Sequence, residues 1–97
     1  MEKYVPNPID TSRVNVPEEI IALAEILAKN THEVWSKGKM DEGWVHGETV
    51  DYKLKTHPDL IPYEQLSETQ KDYDRRTSME TLKVILSKGY KIENTDK

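Results

Sequence analysis

From Ile20 the apolar side chains recur as Ile20, Leu23, Ala24, Leu27, Ala28, Val34 and Trp35, with Thr31 on the same stripe. Steps of three and four residues are the period of an amphipathic helix. Pro17 suits a helical first turn, Glu18 and Glu19 complement its positive dipole end, and Gly38 offers a stop, so the pattern predicts a helix over about 18–37. Further on, "SETQ" at 67–70 and "TSME" at 77–80 both have the form of a capping box, in which a hydroxyl and a carboxamide or carboxylate satisfy free backbone amides at a helix start. Two more helices are predicted from them. One covers about 68–75, and the other turns Leu82, Ile85 and Leu86 inward and stops at Gly89. Between the first helix and these, "ETVDYKLKTHP" alternates at Val50, Tyr52 and Leu54 and predicts one or two short strands. Ahead of everything lies "YVPNPIDTSRVNVP", residues 4–17, whose three prolines impose extended geometry.

The predicted architecture is therefore mainly α, bordering on α+β: three helices, short strands and an extended N-terminal arm. The predicted core combines Ile20, Leu23, Leu27, Val34, Leu66, Leu82, Ile85 and Leu86, with the arm's prolines laid across it. Ninety-seven residues fit one domain: an arm over about 4–17, a body over about 18–90 and a frayed tail over 91–97.

Composition narrows the picture. The chain is 35% hydrophobic and 33% charged and has no phenylalanine, so its core must be thin and a partner surface would supply burial it lacks. A net charge of −4 argues against a phosphate-backbone binder, so nucleic acid is not an expected partner. The absence of cysteine excludes disulfides and thiolate metal sites and suits a reducing cytoplasm, the expected location. No stretch approaches the roughly 18 apolar residues of a membrane span, and direct membrane insertion is not expected.

Candidate chemistry concentrates in "HEVWSKGKMDEGWVHG", residues 32–47, which holds both tryptophans. Trp35 falls on the helical stripe, where a ring is ordinarily core, whereas Trp44 sits between glycines. Around them stand His32, Lys37, Lys39 and His46. Aromatic faces beside cations suit a stacked, anionic small molecule, although Glu33, Asp41, Glu42, Glu48 and Asp51 keep the window from being net basic. The candidate ligand-binding set is Trp35, Trp44, Lys37, Lys39, His46 and His32, with each ring packing through one face and bordering a pocket with the other. His32, His46 and His57 lack the spacing of a metal-ligand pair, so no metal or cofactor is expected. Adjacent His32 and Glu33 point about 100° apart on a helix, and no nucleophile elbow or phosphate loop is present, so no catalytic residue is expected and the chain is read as no enzyme. "RRTS" at 75–78 makes Ser78 a candidate phosphorylation site, set against the simpler role of helix N-cap for Thr77 or Ser78.

The ordered set of Pro6, Pro8, Asp10 to Ser12, Pro17, Leu27, Ala28, Asn30, His32, Glu33, Trp35, Gly43, Trp44, Gly47, His57, Pro58, Pro62, Tyr63, Lys71, Tyr73, Asp74, Glu80 to Lys83 and Gly89 resembles the RyR domain, the repeat of ryanodine receptor calcium-release channels and of small prokaryotic proteins. The resemblance implies a mostly helical module with short antiparallel strands and without catalytic activity. It also implies pairing of repeats about a pseudo-twofold, hence a homodimer or a partner repeat for this single copy, and a nucleotide-like ligand to be sensed. The alternative it leaves open is a structural protein-protein interaction module of a larger assembly. Asp51 and Tyr52 depart from the pair of aspartates frequent at that point in the family, so no acidic role is carried to position 52.

Overall fold

In the computed structural model, which describes residues 3–96, two long helices replace the three expected. The element order is α1 (Glu18–Asp41), β1 (Val45–His46), β2 (Thr56–His57), a 3₁₀ turn (Tyr63–Gln65) and α2 (Glu68–Ser87). The molecule is mainly α, as the hydrophobic periodicity indicates.

α1 starts at Pro17, whose carbonyl accepts from the amides of Ile20 and Ile21. It runs through Gly38 to Asp41, beyond the expected end. A glycine only permits a stop; the stop is made where the chain enters left-handed geometry, and that happens at Gly43, with φ +94°. There the Trp44 amide donates to the Lys39 carbonyl and the Gly43 amide to the Met40 carbonyl, the paired bonds of a Schellman termination. α2 ends the same way, with Gly89 at φ +89° and the Tyr90 and Gly89 amides donating to Ile85 and Leu86.

At the start of α2, Ser67 and Gln70 form the predicted capping box in both directions. The second box does not form, and α2 passes straight through it. Nothing between 68 and 87 breaks the helix: the Thr77 hydroxyl donates back to the Tyr73 carbonyl, and Glu80, which would have closed the box, accepts instead from the Thr11 hydroxyl of the arm at 2.7 Å. Neither Thr77 nor Ser78 is an N-cap; Ser78 is buried in mid-helix.

α1 and α2 pack against each other around Ile20, Ala24 and Leu82, with Val16, Leu23, Leu27, Met79 and Ile92 at the margin. A second cluster joins Ala28 to Tyr63, Leu66 and Ile61. Several expectations of the core change. Val34 is 63% exposed because the buried face of α1 runs from Ala28 through His32, Ile85 on α2 is 37% exposed, and Leu23, Leu27 and Leu86 are only half-buried. Pro6 and Pro8 are exposed; the arm is fastened by Thr11 and Val16, not by its prolines. The expected frayed tail contributes Ile92 to the core margin, while its last residue, Lys97, lies outside the described residues.

The strands pair in parallel, Val45 opposite Thr56 and His46 opposite His57, and not antiparallel as expected. The Val45 amide donates to Lys55 and the Gly47 amide to His57. Parallel neighbours ordinarily need a crossover of a dozen or more residues. Here residues 47–55 fold back tightly instead: Asp51 forms an antiparallel bridge with Thr56, its carboxylate accepts from the Lys53 and Leu54 amides, and the Thr56 hydroxyl donates to the Thr49 carbonyl. Lys55 takes the left-handed φ of 55° that completes the reversal.

Candidate functional site

α1 carries His32 and Trp35 three residues apart, which places both on one face. The rings stack at 5.7 Å with a 28° interplanar angle. β2 ends beside them, so that His57 meets the Trp35 ring edge-on at 4.9 Å. The turn after β2 and the start of α2 close the opposite side. The result is a cavity of about 310 Å³ lined by Thr31, His32, Trp35, His57, Asp59, Leu66, Gln70, Tyr73 and Asp74.

Both histidines are held by the backbone. His32 is buried, and its Nε2 lies 2.7 Å from the Ile61 carbonyl; since a carbonyl only accepts, Nε2 donates and carries the proton. The Asp59 amide donates to His57 Nδ1 at 3.0 Å, which puts the proton of a neutral His57 on Nε2. Behind the cavity, Arg75 binds Glu25, Asp72 and Glu68 at 2.6 to 3.2 Å, and the Tyr63 hydroxyl donates to Glu25. The guanidinium bond holds the Glu25 carboxyl below its ordinary range, while burial and then the Glu25 charge push the Tyr63 phenol up. This network ties α2 to α1 and to the 3₁₀ turn, and so fixes the spacing of the cavity's two long walls.

Chemically the cavity offers aromatic faces, a carboxamide and two carboxylates, Asp59 and Asp74, and among the described residues no Lys or Arg lines it. Such walls suit a flat ring bearing hydrogen-bond donors or positive charge. Among the described residues, no group of three His, Asp or Glu side chains is arranged to hold a metal ion.

The residues singled out from the sequence divide. His32 and Trp35 line the cavity together. Trp44, Lys37, Lys39 and His46 do not. Trp44 is 9% exposed, meets Tyr52 edge-on at 5.6 Å and has the Lys39 ammonium 4.8 Å above its ring. Lys37 pairs with Asp41 at 3.2 Å, and His46 is exposed on β1. The glycines thus do not fold the second indole onto the first; they terminate α1 and admit β2. Ser78, at 6% exposure inside α2, is covered against a modifying enzyme as long as the helix is closed.

Sequence reasoning missed His57 as a partner of Trp35, and it missed Asp59, Leu66, Gln70, Tyr73 and Asp74 as the facing wall. Gln70 was visible only as half of a capping box. Leu66 was expected only as core; Asp59 enters from the turn after β2, and Tyr73 and Asp74 through the packing of α2 on α1, which no local pattern announces.

Two helices joined by a short parallel ladder and strapped by a proline-rich arm thus define a small helical module with an aromatic cavity beside Trp35. The RyR domain model matches this chain over residues 4–94, arm, ladder and both helices included. The chain belongs to the RyR domain family. No helix among the described residues is long and apolar enough to cross a membrane.

Proposed function

We propose that this RyR domain is a non-catalytic binding module that takes a small planar ligand into the cavity beside Trp35. The observation that carries the reading is the juxtaposition of stacked and edge-on rings, His32, Trp35 and His57, with two carboxylates and a carboxamide in one concave space. A nucleotide-like ligand fits through its base: the ring lies against Trp35 while an exocyclic amino group donates to Asp59 or Asp74. The phosphate finds no cation in this cavity. Arg76 lines a shallow neighbouring cleft that shares Gln70 and Tyr73, and it is the cation to which a phosphate would extend. Each histidine has one ring nitrogen bonded to the backbone, which fixes its ring in the cavity wall where a planar ligand would meet it.

A stacked base contributes on the order of 1–3 kcal/mol, so a ligand held by one indole and two hydrogen bonds binds in the micromolar to millimolar range. Calorimetric titration of adenine, adenosine and adenosine monophosphate tests the reading. Trp35→Ala weakens binding of all three by about 5- to 150-fold, and Arg76→Ala weakens only the phosphorylated ligand. Binding that Trp35→Ala leaves unchanged removes the assignment. A second reading, a protein-interaction module, is favoured by the exposed apolar side chains Val45, Val50, Tyr52 and Leu54 around the ladder, and it takes precedence if no planar ligand binds.

A further inference from the structure

The hydrogen bonds that hold the walls of the Trp35 cavity also decide which polar atoms those walls leave open. Ser67 donates to Gln70 Oε1 twice, through its amide at 3.1 Å and its hydroxyl at 3.0 Å. With that oxygen occupied by the helix cap, what Gln70 offers a ligand is its amino group, two N–H donors. His32 donates to the Ile61 carbonyl through Nε2, so its Nδ1 is an acceptor, and that atom has no partner. No buried side-chain nitrogen or oxygen among the described residues lacks a partner. Nδ1 of this side chain, only 5% exposed, therefore opens on the cavity that His32 lines.

Asp74 stands one helical turn after Gln70, half-buried and on the same cavity wall. Among the described residues its carboxylate accepts no hydrogen bond and pairs with no cation. The adjacent Arg75 is engaged elsewhere, by Glu25, Asp72 and Glu68. α2 thus presents a donor and, about 5–6 Å further along the helix, an acceptor with two oxygens. Asp59 and His32 Nδ1 add acceptors from the other walls, so the cavity calls for a ligand rich in donors.

Resting on the reading of this cavity as a site for a planar ligand, we propose that the ligand is a guanine nucleotide. The ring lies against Trp35, O6 accepts from the Gln70 amino group, and N1–H and the N2 amino group donate side by side to the two oxygens of Asp74. A carboxylate takes two adjacent N–H groups in this way when it binds a guanidinium. Adenine presents one amino group beside an unprotonated ring nitrogen. It gives Asp74 a single bond and sets the nitrogen lone pair against the second oxygen. The volume of about 310 Å³ lies at the small end of ligand sites, room for the base with its sugar and phosphate outside.

Calorimetric titration of the full chain with guanosine, inosine and adenosine monophosphates tests the assignment, because the three share sugar and phosphate and differ only in the base edge. Guanosine monophosphate binds at least tenfold tighter than adenosine monophosphate, the effect of one further hydrogen bond to a charged group. Inosine monophosphate, which lacks the N2 amino group, falls between them. Asp74→Asn has no protein partner to lose, keeps the circular dichroism spectrum and reduces the guanine preference to under threefold. A native preference below tenfold overturns the proposal and leaves the planar-ligand reading standing. So does inosine binding as tight as guanosine binding, or a preference that Asp59→Asn abolishes and Asp74→Asn does not. If none of the three binds at millimolar concentration, the proposal and the reading beneath it both fall.

Discussion

A methyl group added at Gly47 probes the least conventional feature of the fold, the parallel ladder that carries His57 to Trp35. An alanine Cβ there would lie 2.5 Å from Thr56 Cβ, 2.9 Å from its Cγ2 and 3.1 Å from its Oγ1. Carbon atoms in contact ordinarily stand about 3.5–4.0 Å apart, so β1 and β2 must separate by about 1 Å. The Gly47 to His57 hydrogen bond is already 3.3 Å long and would not survive that displacement. Overpacking of about 1–3 kcal/mol and a lost hydrogen bond of about 1 kcal/mol together give a destabilisation of about 2–4 kcal/mol for Gly47→Ala. In a domain of this size that lowers the melting temperature by roughly 8–30 °C. The opposite expectation is equally definite: where a glycine has an ordinary φ and free space, alanine stabilises by about 0.4–1 kcal/mol through the unfolded chain. Urea unfolding followed by circular dichroism decides between them. The double-mutant cycle sharpens the test, since Thr56→Gly removes the obstructing Cβ whereas Thr56→Ala keeps it. Gly47→Ala should therefore be close to neutral in the Thr56→Gly background and remain costly in the Thr56→Ala background. A loss below about 0.5 kcal/mol in the native background, or an equal loss in the Thr56→Gly background, would refute the close approach of the two strands.

Other substitutions check the helices. Leu82→Ala, at 5% exposure between Ile20 and Ala24, should cost about 2–5 kcal/mol by chemical denaturation. Ser67→Ala should cost about 0.5–2 kcal/mol as the loss of a true N-cap, and Thr77→Ala should lie within about 0.5 kcal/mol of neutral because it sits in mid-helix. Equal losses at the two positions would restore a helix boundary at Thr77. On acidification, Glu25 and Glu64 are held below their ordinary value of 4.5 by Arg75 and Lys29. A depressed carboxyl contributes stability above its unfolded pKa and loses it as pH falls through its folded pKa, so thermal unfolding scans should show stability declining below about pH 4.5, with a shallower decline in Glu25→Gln. Both pairs are exposed, and added salt should reduce the effect.

The helices were legible where the signal is local and chemical. Pro17 with two glutamates starts α1, the Ser67–Gln70 box starts α2, and Gly89 ends it. The errors have one physical origin, which is that a local motif offers a geometry that distant contacts then accept or refuse. Gly38 offers a stop that α1 declines in favour of Gly43, and Thr77 offers a cap that is foregone while Glu80 is bonded to Thr11, 69 positions away in the chain. The parallel pairing brings Gly47 close against Thr56, a contact that no alternation pattern encodes. Half of the candidate site was legible for the same reason that α1 was: His32 and Trp35 share a helical stripe. The rest of the wall depends on where β2 ends and on how α2 lies on α1, and Trp44 does not line the cavity with Trp35 because nearness along the chain is not nearness in space.

The central claim, that the cavity beside Trp35 binds and that Trp44 is packing, is tested most directly by the two indole N–H resonances. In a proton–nitrogen correlation spectrum, saturating adenosine should shift the Trp35 indole signal and leave that of Trp44 in place, with the Trp35→Ala spectrum assigning the peaks. A Trp44 shift without one at Trp35, or no shift of either at millimolar adenosine, would contradict the account.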